Sequence, residues 1–144
     1  MLEFVVVDDN KFLNEQIQDV INGVLMKTKI DYVYKIFYDY DSVFFELVND
    51  DSENRVYVLD LQTPHSSGLT AIRTIREHDK HSKIIIISDY CDDHFPEIFK
   101  LKYILQTIKK DNELLTYIFV IPCFNTLHLL SNKNLPSNSS SLNK

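Results

Sequence analysis

The stretch KIIIIS at residues 83–88 decides the fold of this 144-residue sequence. Its four consecutive isoleucines leave no polar face, which is typical of a strand that is buried on both faces of a parallel sheet. Two similar strands precede it, FVVV at residues 4–7 and RVYVLD at residues 55–60. The sequence therefore predicts a sheet whose central strands are covered on both faces.

Helical patterns separate the predicted strands, because apolar residues recur at three- and four-residue steps between them. Strands that alternate with helices are typical of βα units, so we predict an α/β fold on an open parallel sheet. The other predicted elements are helices over 13–25, 43–48, 69–78, 96–101 and 112–120, and strands over 31–38 and 104–110.

Charge and composition exclude several classes of function. Fifteen basic residues stand against 21 acidic ones, and the net charge of -6 argues against nucleic acid or an anionic membrane as the main partner. Gly23 and Gly68 are the only glycines, so the sequence lacks the nucleotide-binding motifs GxGxxG and GxxxxGK[ST]. Two cysteines are too few for a disulfide scaffold, and no apolar run reaches the ~18 residues of a membrane span. We expect a single cytoplasmic domain without a signal peptide.

Charged and polar side chains stand where the predicted strands end. Asp8 and Asp9 follow the first strand, Asp60 closes the third, and Ser88 and Lys110 close the fourth and fifth. Because open α/β sheets bind ligands at the carboxyl ends of their strands, we expect these side chains to converge. Three carboxylates raise one another's pKa values unless cations neutralise them, and magnesium accepts such oxygen ligands while keeping waters for a phosphate. A carboxylate there could accept a phosphoryl group.

These residues together resemble the receiver domain of two-component response regulators. The matching pieces are VVVDDN, the block VLDL at residues 58–61, Pro64 and Gly68 at four and eight residues after Asp60, Ser88, and Lys110 in IKKDNEL. The runs IREHDK and KDNEL are most similar to the Agr-type, LytTR-containing regulators of quorum sensing. The resemblance covers residues 2 to 115.

The resemblance implies a flavodoxin-like (βα)5 architecture, with five parallel strands in the order 2-1-3-4-5 and helices on both faces. It also implies a sensor histidine kinase as phosphoryl donor, and a second copy or an effector as partner of the face formed by helix 4, strand 5 and helix 5. The protein would be a switch rather than a metabolic enzyme, with no direct contact to nucleic acid or membrane.

The roles of individual residues follow from the same resemblance. Asp60 would be the phosphoacceptor, and Asp9, Asp60 and the backbone carbonyl of Gln62 would hold Mg²⁺, with Asp8 acting through water. Lys109 competes with Lys110 for one role, and strand alternation with the following Asp-Asn favours Lys110. The implied phosphoryl-binding and switch residues are Ser88 and Lys110.

Among the positions that depart from the family pattern, two are predicted modulators. Asp89 stands where receivers prefer a small residue, and its charge would oppose a phosphoryl group that carries about -1.5 to -2. Thr107 replaces the aromatic residue that receivers usually carry three positions before the lysine. These departures support an alternative, a degenerate pseudo-receiver that binds a partner without phosphorylation or serves as a phosphate sink.

The family pattern ends before the sequence does. We predict a receiver domain over 1–120, an unassigned apolar segment over 121–130 and a disordered, Ser/Asn-rich tail over 131–144. Agr-type regulators continue into a DNA-binding domain, which we expect this chain to lack.

Two enzyme-like or cofactor-binding folds fit the sequence less well. A haloacid-dehalogenase-like phosphatase needs a second acid two residues after its nucleophile, where this chain has Gln62. A flavodoxin needs a Ser/Thr/Gly-rich phosphate loop after the first strand, where this chain has Asp8, Asp9 and Asn10.

Overall fold

The computed structural model describes residues 1–50, 54–89, 96, 100 and 104–110. Over residues 2–88 strands and helices alternate, as the sequence predicted. The elements are β1 (Leu2–Val7), α1 (Lys11–Leu25), β2 (Tyr32–Phe37), α2 (Ser42–Asn49), β3 (Arg55–Leu59), α3 (Gly68–His78), β4 (Lys83–Ser88) and β5 (Ile104–Lys109).

The five strands of the described residues are parallel and lie in one sheet of order β2-β1-β3-β4-β5. The predicted α/β fold and the order 2-1-3-4 of its first four strands are confirmed, and the backbone of β5 pairs with β4 beyond them. The predicted helix over 112–120, the apolar segment over 121–130 and the tail lie outside the described residues. Of the helix predicted over 96–101, only residues 96 and 100 are described.

Alternate residues of the central strands belong to two separate hydrophobic cores, because successive side chains of a strand point to opposite faces of the sheet. Ile84 and Ile86 pack on one face with buried residues of α2 and α3. Ile85 and Ile87 pack on the other face against the apolar stripe of α1. The isoleucine run is apolar throughout because helices cover both faces of the sheet. In the described part of the chain, no helix is long and apolar enough to cross a membrane.

A charge network closes the end of the sheet where the strands begin. The Arg55 side chain is 2% exposed, and its Nε donates to Glu3 Oε1 at 2.7 Å. Its Nη1 donates to the Leu47 carbonyl at 3.1 Å and to the Tyr57 hydroxyl at 3.0 Å. Lys35, which is 43% exposed, lies 3.2 Å from the other Glu3 oxygen. Each buried polar group here has a partner, as burial of a charge requires.

The carboxylate of Asp79 organises the turn between α3 and β4. It accepts the backbone N–H groups of His81 and Ser82, each at 2.9 Å, and the Ser82 hydroxyl. Partial burial by itself would raise the pKa of Asp79, but the hydrogen bonds from Ser82 and His81 outweigh it and hold the pKa below its ordinary value of 3.8. The charged form therefore stabilises the folded state.

We expect Asp79→Ala to lower the free energy of unfolding by about 1.5 kcal/mol at pH 7, because three hydrogen bonds to a carboxylate are lost. Since the folded pKa is lowered, this contribution is present above pH 3.8 and disappears as the pH falls through the folded value. Urea unfolding of both proteins between pH 7 and pH 3 measures the difference. A gap between variant and wild type that stays constant over this range would contradict the argument.

Candidate functional site

The site lies at the carboxyl edge of the sheet, where β1 and β3 end side by side. Val7 pairs with Leu59 as the last matched position of these strands, so Asp8 and Asp60 follow at the same level. The N–H of Asp60 donates to the Val7 carbonyl at 2.9 Å, and the N–H of Asp8 donates to the Phe37 carbonyl at 3.1 Å. The sheet itself thus places both carboxylates next to each other.

Three carboxylates form one cluster at this edge. An oxygen from each of Asp8, Asp9 and Asp60 lies within 4.8 Å of the other two. Asp8 and Asp60 are buried, at 2% and 4% exposure, whereas Asp9 is exposed. Hard carboxylate oxygens in this number are the ligands that a divalent cation such as Mg²⁺ takes, and the exposed Asp9 leaves the cluster open to solvent. The residues therefore fit a divalent metal.

Lys110 brings a positive charge into the acidic cluster. Its Nζ lies 2.8 Å from Asp8 Oδ2 and 3.0 Å from Asp60 Oδ2, so one ammonium bridges both buried acids. The N–H of Lys110 also donates to the Ser88 carbonyl at 3.2 Å, which anchors the lysine at the end of β4. Of the two candidate lysines, Lys110 occupies the site, while the side chain of Lys109 lies outside the described part.

Burial shifts the pKa values of the acids more than their mutual repulsion does. Burial raises the pKa values of Asp8 and Asp60 above 3.8, contacts with Lys110 lower them only in part, and a neighbouring carboxylate adds a smaller increase. At Lys110 burial by itself would lower the pKa, but Asp8 and Asp60 raise it above 10.5. The ammonium of Lys110 and the two carboxylates therefore favour one another's charged forms, and burial opposes both.

Two asparagines shape the loop that carries Asp8 and Asp9. The N–H of Asn10 donates to Asp8 Oδ1 at 2.8 Å, while Asn10 Oδ1 caps α1 by accepting the N–H of Leu13 at 3.2 Å. Asn14 is buried on α1, and its Nδ2 donates to the Asp8 carbonyl at 2.9 Å. The sequence analysis missed Asn14. Its signal was a polar residue three positions before Ile17 within the apolar stripe of that helix.

The loop from β3 to α3 turns tightly around Asp60. Gln62 donates its N–H to Asp60 Oδ1 at 3.2 Å, and its side chain is exposed. Gly68 begins α3 and donates its N–H to the Leu61 carbonyl at 2.7 Å. A Cβ atom on Gly68 would lie 2.7 Å from Leu61 Cα and closer still to the Asp60 carbonyl. This close approach explains why residue 68, eight positions after Asp60, is a glycine. The metal-binding role of the Gln62 carbonyl stays a prediction.

The loop from β2 to α2 also contacts the backbone carbonyl of Asp60, through Tyr40. Tyr40 is 4% exposed, and its hydroxyl donates to the backbone oxygen of Asp60. Burial, together with the charges of Asp60, Asp8 and Asp39, raises the pKa of Tyr40 well above its ordinary value of 10.0, so the phenol stays a neutral donor. The sequence analysis did not single out Tyr40, because nothing local to it signals a contact 20 residues away.

The remaining predicted residues, Ser88, Asp89 and Thr107, lie in or directly after β4 and β5. Ser88 is fully buried at the end of β4 and joins the site through its carbonyl contact with Lys110. Asp89 is exposed in the following turn. Thr107 stands opposite Ile86 in β5, and its side chain lies outside the description.

Several solved structures with this fold are described as response regulators or their receiver domains. The BeF3-activated receiver domain of DrrB, a Thermotoga maritima protein, is 21% identical, with a TM-score of 0.68 over 89% of this chain and 98% of that one. A CheY-like receiver domain from Methanospirillum hungatei is 12% identical, with a TM-score of 0.71 over 93% and 99%.

A response regulator from Burkholderia pseudomallei, described with a phosphorylated aspartic acid, calcium ion and citrate, is 15% identical, with a TM-score of 0.63 over 94% of this chain and 74% of that one. No family model matches the chain, and neither does any curated protein sequence. The similarity is therefore one of fold, and the chain has the flavodoxin-like receiver fold.

Proposed function

We propose that this protein is a receiver that takes a phosphoryl group from a sensor histidine kinase onto Asp60, in a step that requires Mg²⁺. The observation that carries the proposal is the bridge from Lys110 Nζ to the buried carboxylates of Asp8 and Asp60, with Asp9 beside them. This arrangement sits at the strand ends of a receiver fold, where such sheets bind ligands. The Burkholderia regulator, which is described with a phosphorylated aspartic acid, has the same fold.

In the proposed reaction, a carboxylate oxygen of Asp60 forms a bond to phosphorus while the bond from phosphorus to the kinase histidine breaks. The acid is the nucleophile, so it must be ionised, and Lys110 favours that form. Asp9 and Asp60 would hold Mg²⁺ together with the Gln62 carbonyl, and Asp8 would act through water. A bound Mg²⁺ supplies positive charge to the phosphoryl oxygens. Lys110, already 3.0 Å from Asp60, then pairs with the phosphorylated side chain.

The output of this reaction would be a shift in conformational populations rather than turnover of a metabolite. Ser88 adjoins the site and is the proposed contact of the phosphoryl oxygen, while Asp89 and Thr107 modulate the response. The proposal includes a (βα)5 receiver of the Agr type, located in the cytoplasm. Its partners are a kinase and either an effector or a second copy at the face around β5.

Intact-protein mass spectrometry after incubation with acetyl phosphate tests the proposal. We expect a phosphoryl adduct that forms with Mg²⁺, is absent with EDTA and is abolished by Asp60→Asn. Asp19→Asn, on an exposed position of α1, is the matched control and should keep the adduct. A wild-type protein that forms no adduct with Mg²⁺ present would overturn the proposal.

A second candidate is a binding module that acts without phosphorylation. The observation that favours it is Asp89, an exposed acid directly after Ser88, which would repel an incoming phosphoryl donor. The same mass measurement separates the candidates, since this module would form no adduct. Asp89→Ala discriminates further, because in a working receiver it should speed adduct formation.

A further inference from the structure

Tyr40 has its ring in the apolar core and its hydroxyl at the candidate site. The ring packs edge-on against Phe44, with centroids 5.1 Å apart, and belongs to the core between the sheet and α2 and α3. Its hydroxyl donates to the Asp60 carbonyl. Because burial of a hydroxyl is costly unless it is hydrogen-bonded, this contact is a specific one rather than a by-product of packing.

The backbone of Asp60 is held on several sides at once. Its N–H donates to the Val7 carbonyl at 2.9 Å, which ties it to β1. Its carbonyl meets the Tyr40 hydroxyl from one side and the first residue of α3, Gly68, from another. With both flanking peptide groups anchored, the direction of the Cα–Cβ bond of Asp60, from which its carboxylate extends, is set by these contacts.

The loop that carries Tyr40 is itself braced against the loop after Asp60. The Thr63 hydroxyl donates to the carboxylate of Asp39, which also accepts the N–H of Tyr40 at 2.8 Å. The Ser66 hydroxyl donates to the Tyr40 carbonyl at 3.2 Å. These bonds join the β2–α2 and β3–α3 loops into one unit, so the tyrosine hydroxyl approaches Asp60 from a supported position.

We propose that Tyr40 is a positioning residue for the phosphoacceptor, whose hydroxyl holds the Asp60 backbone so that its carboxylate faces Lys110 and the other two acids. This inference rests on the proposed function and adds a residue that is neither a metal ligand nor a phosphoryl contact. Tyr40 lies on the loop after β2, a strand that contributes none of the predicted site residues. It therefore connects that loop to the reacting group through a single hydrogen bond.

Small errors in the placement of a nucleophile reduce rates strongly, and a misplacement near 1 Å can cost about 100-fold. Loss of the hydroxyl alone should shift Asp60 by less than this, because the bonds to Val7 and Gln62 remain. We therefore expect Tyr40→Phe to slow formation of the phosphoryl adduct by about tenfold. The concentration of acetyl phosphate at half-maximal rate should stay unchanged, since Tyr40 does not contact the donor in this proposal.

The experiment compares Tyr40→Phe with Tyr57→Phe, a matched control. Tyr57 is also buried, and its hydroxyl accepts a hydrogen bond from Arg55 Nη1 at the opposite end of β3. Both variants lose the same atom and should show comparable urea midpoints. The rate of adduct formation with Mg²⁺ and acetyl phosphate is then measured by intact mass for wild type and both variants.

Each outcome of this comparison decides the matter. Slowing by Tyr40→Phe alone, at an unchanged half-saturating donor concentration, supports positioning. Equal rates in Tyr40→Phe and wild type, or equal slowing in both variants, overturn this inference and leave the proposed function standing. A wild type without adduct overturns both. If Tyr40→Phe does not fold, Ser66→Ala serves instead, with an expected slowing of about threefold, and an unchanged rate there overturns the inference.

Discussion

Replacing Gly68 by alanine is expected to lower the free energy of unfolding by about 3 kcal/mol. The new Cβ atom would lie 2.7 Å from Leu61 Cα and overlap the Asp60 carbonyl oxygen. Both neighbours are backbone atoms, so no side-chain rotation relieves the contact and the whole β3–α3 loop must move. Because this loop carries the phosphoacceptor, the variant should also form the phosphoryl adduct more slowly than wild type.

Gly23 offers the matched control, since it is the other glycine of the chain and lies within α1. A Cβ atom at this position meets nothing within 4 Å. Alanine is the better helix former, so Gly23→Ala should raise the free energy of unfolding by about 0.7 kcal/mol. Urea unfolding measures both variants. If the two substitutions have the same sign, the close approach at Gly68 does not govern its stability.

The central part of the fold could be predicted because its strands are covered on both faces. Residues 83–88 and 55–60 carry an apolar signal that a half-exposed strand would lack, and β4 and β3 have nearly those bounds. The edge strand β2 was harder to delimit, since its residues are only partly buried and include the exposed Lys35. Its prediction as 31–38 was one residue too long at each end.

The part of the candidate site that lies at the ends of the strands could be predicted from the sequence. Asp8, Asp60 and Lys110 meet because the parallel strands that carry them end at one edge, which topology alone dictates. Tyr40 and Asn14 could not be predicted in this way. Their partners, the carbonyls of Asp60 and Asp8, are backbone groups, and a sequence carries no sign of which side chain will reach a given carbonyl.

The electrostatics of the site depend on burial that the sequence did not reveal. Mutual repulsion among the three acids was the predicted reason for raised pKa values. In the structure, burial of Asp8 and Asp60 is the larger cause, and the neighbouring charges add less. Both causes make a positive charge beside these carboxylates favourable. Burial of the two carboxylates gives Lys110 a structural role besides its proposed role in phosphoryl transfer.

Replacing Lys110 by methionine should therefore lower the free energy of unfolding by about 3 kcal/mol in EDTA at pH 7.5, because removal of one partner leaves buried carboxylates without compensation. Methionine keeps most of the apolar stem and removes the ammonium that lies 2.8 Å from Asp8 and 3.0 Å from Asp60. Added Mg²⁺ should restore part of the loss, since a cation bound by the folded state stabilises it. Urea unfolding with and without Mg²⁺ measures both effects.

Lys35→Met is the matched control, because Lys35 also pairs with an acid, Glu3, at 3.2 Å but is 43% exposed. An exposed pair of this kind contributes roughly 0.5 kcal/mol, so the control should change stability little and should not respond to Mg²⁺. Equal losses in the two variants would mean that the lysine stem, rather than the buried ammonium, supports the fold. A large loss of unfolding free energy that is confined to Lys110→Met and is relieved by Mg²⁺ would mean that the unphosphorylated site is stabilised by a cation beside its acids.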